Sequence, residues 1–168
     1  GEPLHIGEGR VMLDARVLAK LLDALDIQPN ELVMDIACGY GYSSAIIARL
    51  SEAVIAIESN EAMAAEAQKR LVAEQADNVA VIAGPLAAGN AKNAPFDVIV
   101  LQGGVEQVPE PLLAQLKDGG RIAAIFMQGP LGVAKIGYKS GTVVTWRFAF
   151  NAAMPVLDGF GKVAEFSL

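Results

Sequence analysis

Residues 32–44, Leu-Val-Met-Asp-Ile-Ala-Cys-Gly-Tyr-Gly-Tyr-Ser-Ser, decide how this chain is read. The stretch opens on an apolar run, passes the carboxylate of Asp35 and reaches two glycines, Gly39 and Gly41. Ser43 and Ser44 then lead into the apolar residues 45–48. That order predicts a buried strand, a glycine turn, a serine cap and a helix. A helix N-terminus behind such a turn offers free backbone N–H groups to a ligand. Glycine serves where a Cβ would collide with that ligand. The turn is therefore the expected cofactor site.

Outward from this turn, strands and helices are expected to alternate. Residues 1–10 read as an irregular lead-in, with His5 as a surface residue. Residues 11–25 have a helical apolar period with Asp14 as a plausible N-cap, ending before Pro29. Strands are expected at 32–36, 54–57, 79–82, 96–101 and 121–127. Helices are expected at 43–50, at 61–75 behind an Asn60 cap, and from Pro109 to about 116. Residues 84–95 read as loop, 102–104 as the end of the fourth strand, and 117–120 as a turn. The pattern then changes to a hairpin, 133–138 and 143–150, joined by residues 139–142. Loop at 151–161 and a last strand at 162–166 complete a mixed α/β sheet in one domain, residues 1–168.

The totals agree with a globular domain. The chain has 168 residues, 53% hydrophobic and 19% charged, with a net charge of −6 and no basic run. That disfavours nucleic acid as a partner. No apolar stretch is long enough for a membrane helix, and no signal peptide is visible. Cys38 is the single cysteine, which leaves no disulfide framework or cysteine-based metal site and suits a reducing, cytoplasmic setting. The chain begins at Gly1 in loop-like sequence, so a preceding N-terminal segment is expected to be missing. The oligomeric state is left open.

The chemistry of the turn follows from its carboxylates. A dinucleotide fingerprint needs a third glycine where this chain has Ser44, and Asp35 would repel a pyrophosphate. A cofactor with a cationic amino-acid end, such as S-adenosyl-L-methionine (SAM), would instead be attracted. Glu58, closing the second strand, can accept from both hydroxyls of a ribose. Strand-end carboxylates also serve simply as helix caps, and that reading stays beside the functional one.

The pattern Asp35-x-Ala37-x-Gly39-x-Gly41 resembles the first motif of class I SAM-dependent methyltransferases, with Ala37 where many members have glycine. This implies a Rossmann-like fold, mostly parallel with an antiparallel C-terminal hairpin. More narrowly, residues 7–125 resemble the protein-L-isoaspartate O-methyltransferase family, most specifically in the segment FDVIV…VPEPLLAQLKDGGR. The resemblance implies SAM as cofactor, protein repair as role and an isoaspartyl carboxylate on a protein or peptide as acceptor. It also implies a cofactor site of Asp35, Ala37, Cys38, Gly39, Tyr40, Gly41, Glu58, Ser59, Gly84 and Gln102. Asp35 and Gly39 would contact the methionine end, Tyr40 and Gly41 would line the turn, and Glu58 would hold the ribose.

Two departures mark a divergent member. The family's acceptor motif, Thr-Ile-Ser-x-Pro after a glycine, aligns with Val-Met-Leu-Asp-Ala at residues 11–15, so Leu13 stands at the serine position. Asp14 and Gln102 become the possible acceptor-side residues, and the catalytic set is unknown. Pro85 stands where the family has an acidic residue that meets the adenine amine. Arg10 and Arg16 flank the altered motif; they read as surface charge first and as counter-ions for an acceptor carboxylate second. Cys38 reads as a small buried residue. Tyr138, Trp146 and Phe148 read as core or cross-strand pairs, with a substrate wall second. Two further functions remain beside the repair methyltransferase: a SAM-binding homologue serving as sensor or partner-binding module, and a methyltransferase with another acceptor. An NAD-type oxidoreductase is the weaker third.

Overall fold

Seven strands form one twisted sheet in the order β5-β4-β3-β6-β7-β8-β9 among the described residues. The structure, a computed structural model, describes residues 4–7 and 9–163. The sheet strands are β3 (Leu32–Ile36), β4 (Ala53–Glu58), β5 (Val79–Ala83), β6 (Phe96–Val105), β7 (Leu116–Gln128), β8 (Leu131–Ser140) and β9 (Val143–Asn151). Pairing is parallel from β5 through β7 and antiparallel for β7–β8 and β8–β9. The helices are α1 (Ala15–Leu25), α2 (Tyr42–Ala48), α3 (Glu61–Ala73) and the short α4 (Glu110–Leu113). This is a Rossmann-like, mostly parallel architecture, as the resemblance implies, with the antiparallel end that the change of pattern after residue 127 predicts.

The sheet is buried on both faces, as alternate side chains of its central strands show. Val33, Val98, Val100, Ala123 and Ile125 pack with α1, α2 and α3 in one core. Their neighbours Met34, Ile99, Leu101, Ile122 and Ala124 enter the other. That second core is closed by Leu86, Leu112, Leu157 and Phe160, from short turns and loops rather than long helices. Continuous apolar runs are what such doubly covered parallel strands require. β3 lies between β4 and β6, and the chain runs outward from β3 to β5 before returning to β6. Ligands of open α/β sheets bind at the carboxyl ends of the strands where the order reverses in this way.

Several boundaries differ from expectation. Residues 4–7 and 10–12 are not irregular: β1 (Leu4–Gly7) and β2 (Arg10–Met12) pair as a short antiparallel ribbon. Gly7 and Gly9, at φ 107° and 71°, serve the reversal between them. Strands this short carry too few residues for a visible alternation. The first helix therefore begins at Ala15, with Asp14 as its N-cap, accepting from the Arg16 N–H at 2.8 Å. Pro109 is the N-cap of α4, which stops at Leu113 because residues 116–128 form one strand that absorbs the expected turn at 117–120. Each C-terminal hairpin turns on two residues, Gly129-Pro130 and Gly141-Thr142, with glycine at positive φ in the first position. Tyr138 and Phe148 are surface residues, Phe148 64% exposed, while Trp146 packs edge-on against Phe126 at 4.7 Å. Lys162 and Val163 are in no strand, and residues 164–166 of that expected strand lie outside the described ones.

Residues 102–104 do not end the fourth strand. β6 runs on to Val105 through a bulge in its pairing with β7. There Gly104 donates its N–H to the Pro155 carbonyl at 2.9 Å and accepts from the Leu157 N–H at 2.8 Å. A Cβ at Gly104 would overlap the Met154 carbonyl oxygen and stand 2.8 Å from the Met127 side chain. Gly104→Ala should thus push the 154–157 segment off the sheet. The expected cost is about 1–3 kcal/mol, read as a melting-temperature drop of about 2–4 °C per kcal/mol. An unchanged melting curve would mean that this segment is not seated as described.

Candidate cofactor and acceptor site

Register brings Asp35, Glu58 and Gln102 to the same edge of the sheet. Asp35 stands opposite Ala56 of β4 and Val100 of β6, so the carboxyl ends of all three strands meet around the turn. The turn is clamped to β4, since the Ala37 and Cys38 N–H groups both donate to the Ile57 carbonyl, at 2.8 and 3.2 Å. Ala37 takes φ 69°, a left-handed conformation that costs a Cβ-bearing residue about 1–2 kcal/mol. This gives a physical reason for the glycine that many of the resembled methyltransferases carry here. Gly39 and Gly41 also have positive φ. Their neighbours differ, however. A Cβ at Gly41 would press on Leu71 of α3 at 3.2 Å, so that glycine serves helix packing. A Cβ at Gly39 would come within 3.0 Å of Ile6 on the ribbon.

Asp35 has no exposed surface. Its Oδ2 accepts from the Ser43 and Ser44 hydroxyls at 2.6 and 2.7 Å, and its Oδ1 accepts from the Gln102 amide at 2.8 Å. The serines therefore do not cap α2, whose N-cap is Gly41; their hydroxyls tie its first turn to β3. Burial pushes the Asp35 carboxyl up, opposed by these three donors. As placed, Asp35 presents no atom to a ligand and acts through the turn, the α2 N-terminus and Gln102. Cys38 is buried, and burial together with the nearby Asp35 and Glu58 charges pushes its thiol up, so it stays a thiol.

Glu58 is equally enclosed. Its Oε1 accepts from the Gly39 N–H at 2.9 Å and its Oε2 from the Asn60 N–H at 2.9 Å. Arg10, from β2, adds a bidentate pair: Nη1 to Oε2 at 2.9 Å and Nη2 to Oε1 at 2.8 Å. Nη2 also donates to the Ala37 carbonyl at 3.2 Å. Burial alone would raise the Glu58 pKa, but Arg10 and the two backbone donors outweigh it and hold the carboxyl below its ordinary value. The reading of Arg10 as surface charge is thereby corrected, since its side chain is 11% exposed and caps Glu58. Arg16 is exposed. The pairing of Arg10 with Glu58 escaped the sequence reading because the two lie 48 residues apart.

A cavity of about 300 Å³ opens beside this pair, with Arg10, Ser59, Leu86, Gln102 and Gly103 in its wall. Its far side is residues 154–158, which no sequence motif flagged. A smaller apolar cavity of about 30 Å³ lies between ribbon and turn, bordered by Ile6, Leu13, Ala37, Cys38, Gly39 and Tyr40. Gln102 and Val11 border both cavities. Leu13 is 3% exposed, so an apolar group stands at the expected serine position. Asp14 caps α1 and lines neither cavity. Tyr40 is partly exposed beneath the Arg70 guanidinium, 4.8 Å from its ring centre. Gly84 lines neither cavity; its N–H donates to the Glu58 carbonyl at 3.0 Å, and Leu86, two residues on, takes the wall position.

A family model described as protein-L-isoaspartate(D-aspartate) O-methyltransferase matches residues 1–132. A protein-L-isoaspartate O-methyltransferase 2 of a Polaromonas species is 33% identical over 158 residues, covering 92% of this chain and 74% of that protein. A protein-L-isoaspartate O-methyltransferase of Methanoculleus marisnigri is 29% identical over 98% of this chain and 76% of its own. One of Shewanella sediminis is 38% identical over 71% of this chain, which spans about half, 49%, of that relative. Among solved structures, a protein-L-isoaspartate O-methyltransferase superposes with a TM-score of 0.84 at 20% identity, covering 95% of this chain and 53% of the other. A Plasmodium falciparum structure, titled as a putative enzyme of this name in complex with S-adenosyl-L-homocysteine, has a TM-score of 0.75 at 17% identity, covering 93% and 79%. No helix among the described residues is long and apolar enough to cross a membrane.

Proposed function

Because this chain belongs to the protein-L-isoaspartate(D-aspartate) O-methyltransferase family, we propose that it transfers a methyl group from SAM to a carboxylate of a protein or peptide. The isoaspartyl carboxylate of a damaged protein is the acceptor that its relatives' names point to. We take residues 1–168 as one methyltransferase domain working in the cytoplasm. The observation that carries the reading is the buried Glu58 carboxylate at the end of β4, hydrogen-bonded to the glycine turn and covered by Arg10, which lines a ligand-sized cavity.

The residues fit a SAM-like cofactor. Glu58 would accept from the ribose hydroxyls once its Arg10 cap is displaced, Ser59 and Leu86 line the adjoining wall, and Gln102 stands between the two cavities. Asp35 is a positioning residue: it orients Gln102 and ties α2 to the turn. When bound, SAM supplies an electrophilic methyl on a sulfonium. The acceptor carboxylate is ionised at neutral pH, so no general base is required of the protein. What remains for the chain is alignment and exclusion of water, to which the apolar Ile6, Met12 and Leu13 contribute.

The test is transfer of labelled methyl from SAM to an isoaspartyl peptide, beside its aspartyl twin, with calorimetry of SAM, S-adenosyl-L-homocysteine (SAH) and NAD. Transfer to the isoaspartyl peptide alone is the expected result. Binding of NAD but not SAH would overturn the reading. SAH binding without transfer would favour a SAM-binding homologue or another acceptor, the second reading that the apolar Leu13 keeps open.

A further inference from the structure

The methyltransferase reading leaves one residue without a role, Arg10, and the inference rests on that reading. We infer that Arg10 exchanges carboxylates during the cycle: it caps Glu58 before the cofactor enters, and anchors the acceptor carboxylate once Glu58 is committed to the ribose.

The capacity of Glu58 sets the competition. A carboxylate has about four lone-pair sites. Two are taken by the fixed backbone N–H groups of Gly39 and Asn60, and two by Arg10, while the Ser59 hydroxyl adds a longer contact to Oε2 at 3.4 Å. A ribose diol brings two more donors to the same oxygens. The backbone donors belong to the turn and to the N-terminus of α3 and cannot leave without unfolding them. The guanidinium can leave, because it is carried by the ribbon β1–β2. A two-stranded ribbon is marginally stable by itself. The Ile6 side chain lies over Gly39, so the ribbon rests on the turn through apolar contact as well as through Arg10.

Charge sets where Arg10 goes. Among the described residues, Asp158 is the one other charged residue in the wall of the larger cavity, and it is acidic. The neighbouring buried carboxylates Asp35 and Glu58 repel an anion further. An acceptor carboxylate entering this field needs a cation, and the apolar Leu13 offers no hydroxyl in its place. Arg10 is the cation that the described residues place in that wall. A largely buried guanidinium that has lost its partner is itself costly, so an incoming carboxylate satisfies both. The planar fork of arginine suits either carboxylate equally. Cofactor and acceptor should therefore bind with positive coupling, and reciprocally so.

The test compares the wild-type chain with Arg10→Met and Arg10→Lys. Calorimetry should find SAH bound at least about fivefold tighter by Arg10→Met, because its competitor for Glu58 is gone. The same variant should raise KM for an isoaspartyl peptide about tenfold or more, with Arg10→Lys between it and wild type on both measures. Unchanged or weaker SAH binding by an Arg10→Met that still folds cooperatively, at whatever melting temperature, would overturn the exchange, and so would an unchanged KM. Should that variant fail to fold, the wild type decides: the isoaspartyl peptide should bind at least about fivefold tighter with SAH saturating than without, and equal affinity would overturn the inference. Absence of SAH binding by both wild type and Arg10→Lys would instead sink the methyltransferase reading beneath it.

Discussion

Glu58→Gln is expected to cut SAH affinity about 100-fold, the largest binding effect of any single change at this site. Glutamine keeps the size of the side chain but not its capacity. One of the two oxygens becomes an NH2 group, which faces either the Gly39 or the Asn60 N–H as a second donor. The remaining oxygen cannot accept from both ribose hydroxyls. The change also strips the charge partner from Arg10, whose side chain is 11% exposed. Breaking such a pair costs about 3 kcal/mol, a fall in melting temperature of roughly 6–12 °C for a chain of this size. Calorimetry and a melting curve check the two halves separately. Normal SAH binding would remove Glu58 from the cofactor site.

The same pair sets an acid dependence. The Glu58 carboxyl is held below its ordinary value of 4.5 in the folded chain, against the effect of burial. A carboxylate with a depressed folded pKa contributes stability above its unfolded pKa, and this is lost as pH falls through the folded value. Wild-type stability should therefore decline from about pH 4.5 downward. Glu58→Gln should show a shallower decline. Glu31, held down first by its hydrogen bonds from Arg121, acts in the same direction in both proteins.

Asp35→Ala should be the most destabilising substitution of a site residue. It leaves the Ser43 and Ser44 hydroxyls and the Gln102 amide without their shared acceptor, inside the protein. Each orphaned polar group costs about 1–3 kcal/mol. Relief from burying a carboxylate offsets part of this, since burial pushes the Asp35 pKa up. A net loss of about 3–5 kcal/mol is expected. SAH binding should weaken by about tenfold or more, although Asp35 has no exposed atom, because Gln102 and the α2 N-terminus lose their tie. Denaturant unfolding measures the first effect and calorimetry the second. A fully stable variant would mean that the four side chains do not form the network described.

Much of this was legible in the sequence. Strands β3 and β4, the caps Asp14 and Asn60, and the glycine turn followed from local signals: apolar runs, capping residues, and glycines behind a strand. The ribbon β1–β2 was not legible, because strands of three or four residues carry no period. The extension of β6 through Gly103 and Gly104 was missed because paired glycines read as a turn. There the sheet's pairing and the Pro155 and Leu157 hydrogen bonds overrule that preference.

By itself the sequence determined that this is an α/β chain with a glycine turn between two strand-end carboxylates, and which family that turn resembles. These properties depend on residues close together in the chain. Only the tertiary structure decided what each carboxylate faces. Asp35 is turned inward to Ser43, Ser44 and Gln102, and Glu58 is capped by Arg10 from the far N-terminal ribbon. The physical reason is distance: Gln102 lies 67 residues from Asp35 and Arg10 lies 48 from Glu58. No local periodicity encodes pairings of that span, which arise when the sheet's register brings separate strand ends to one edge.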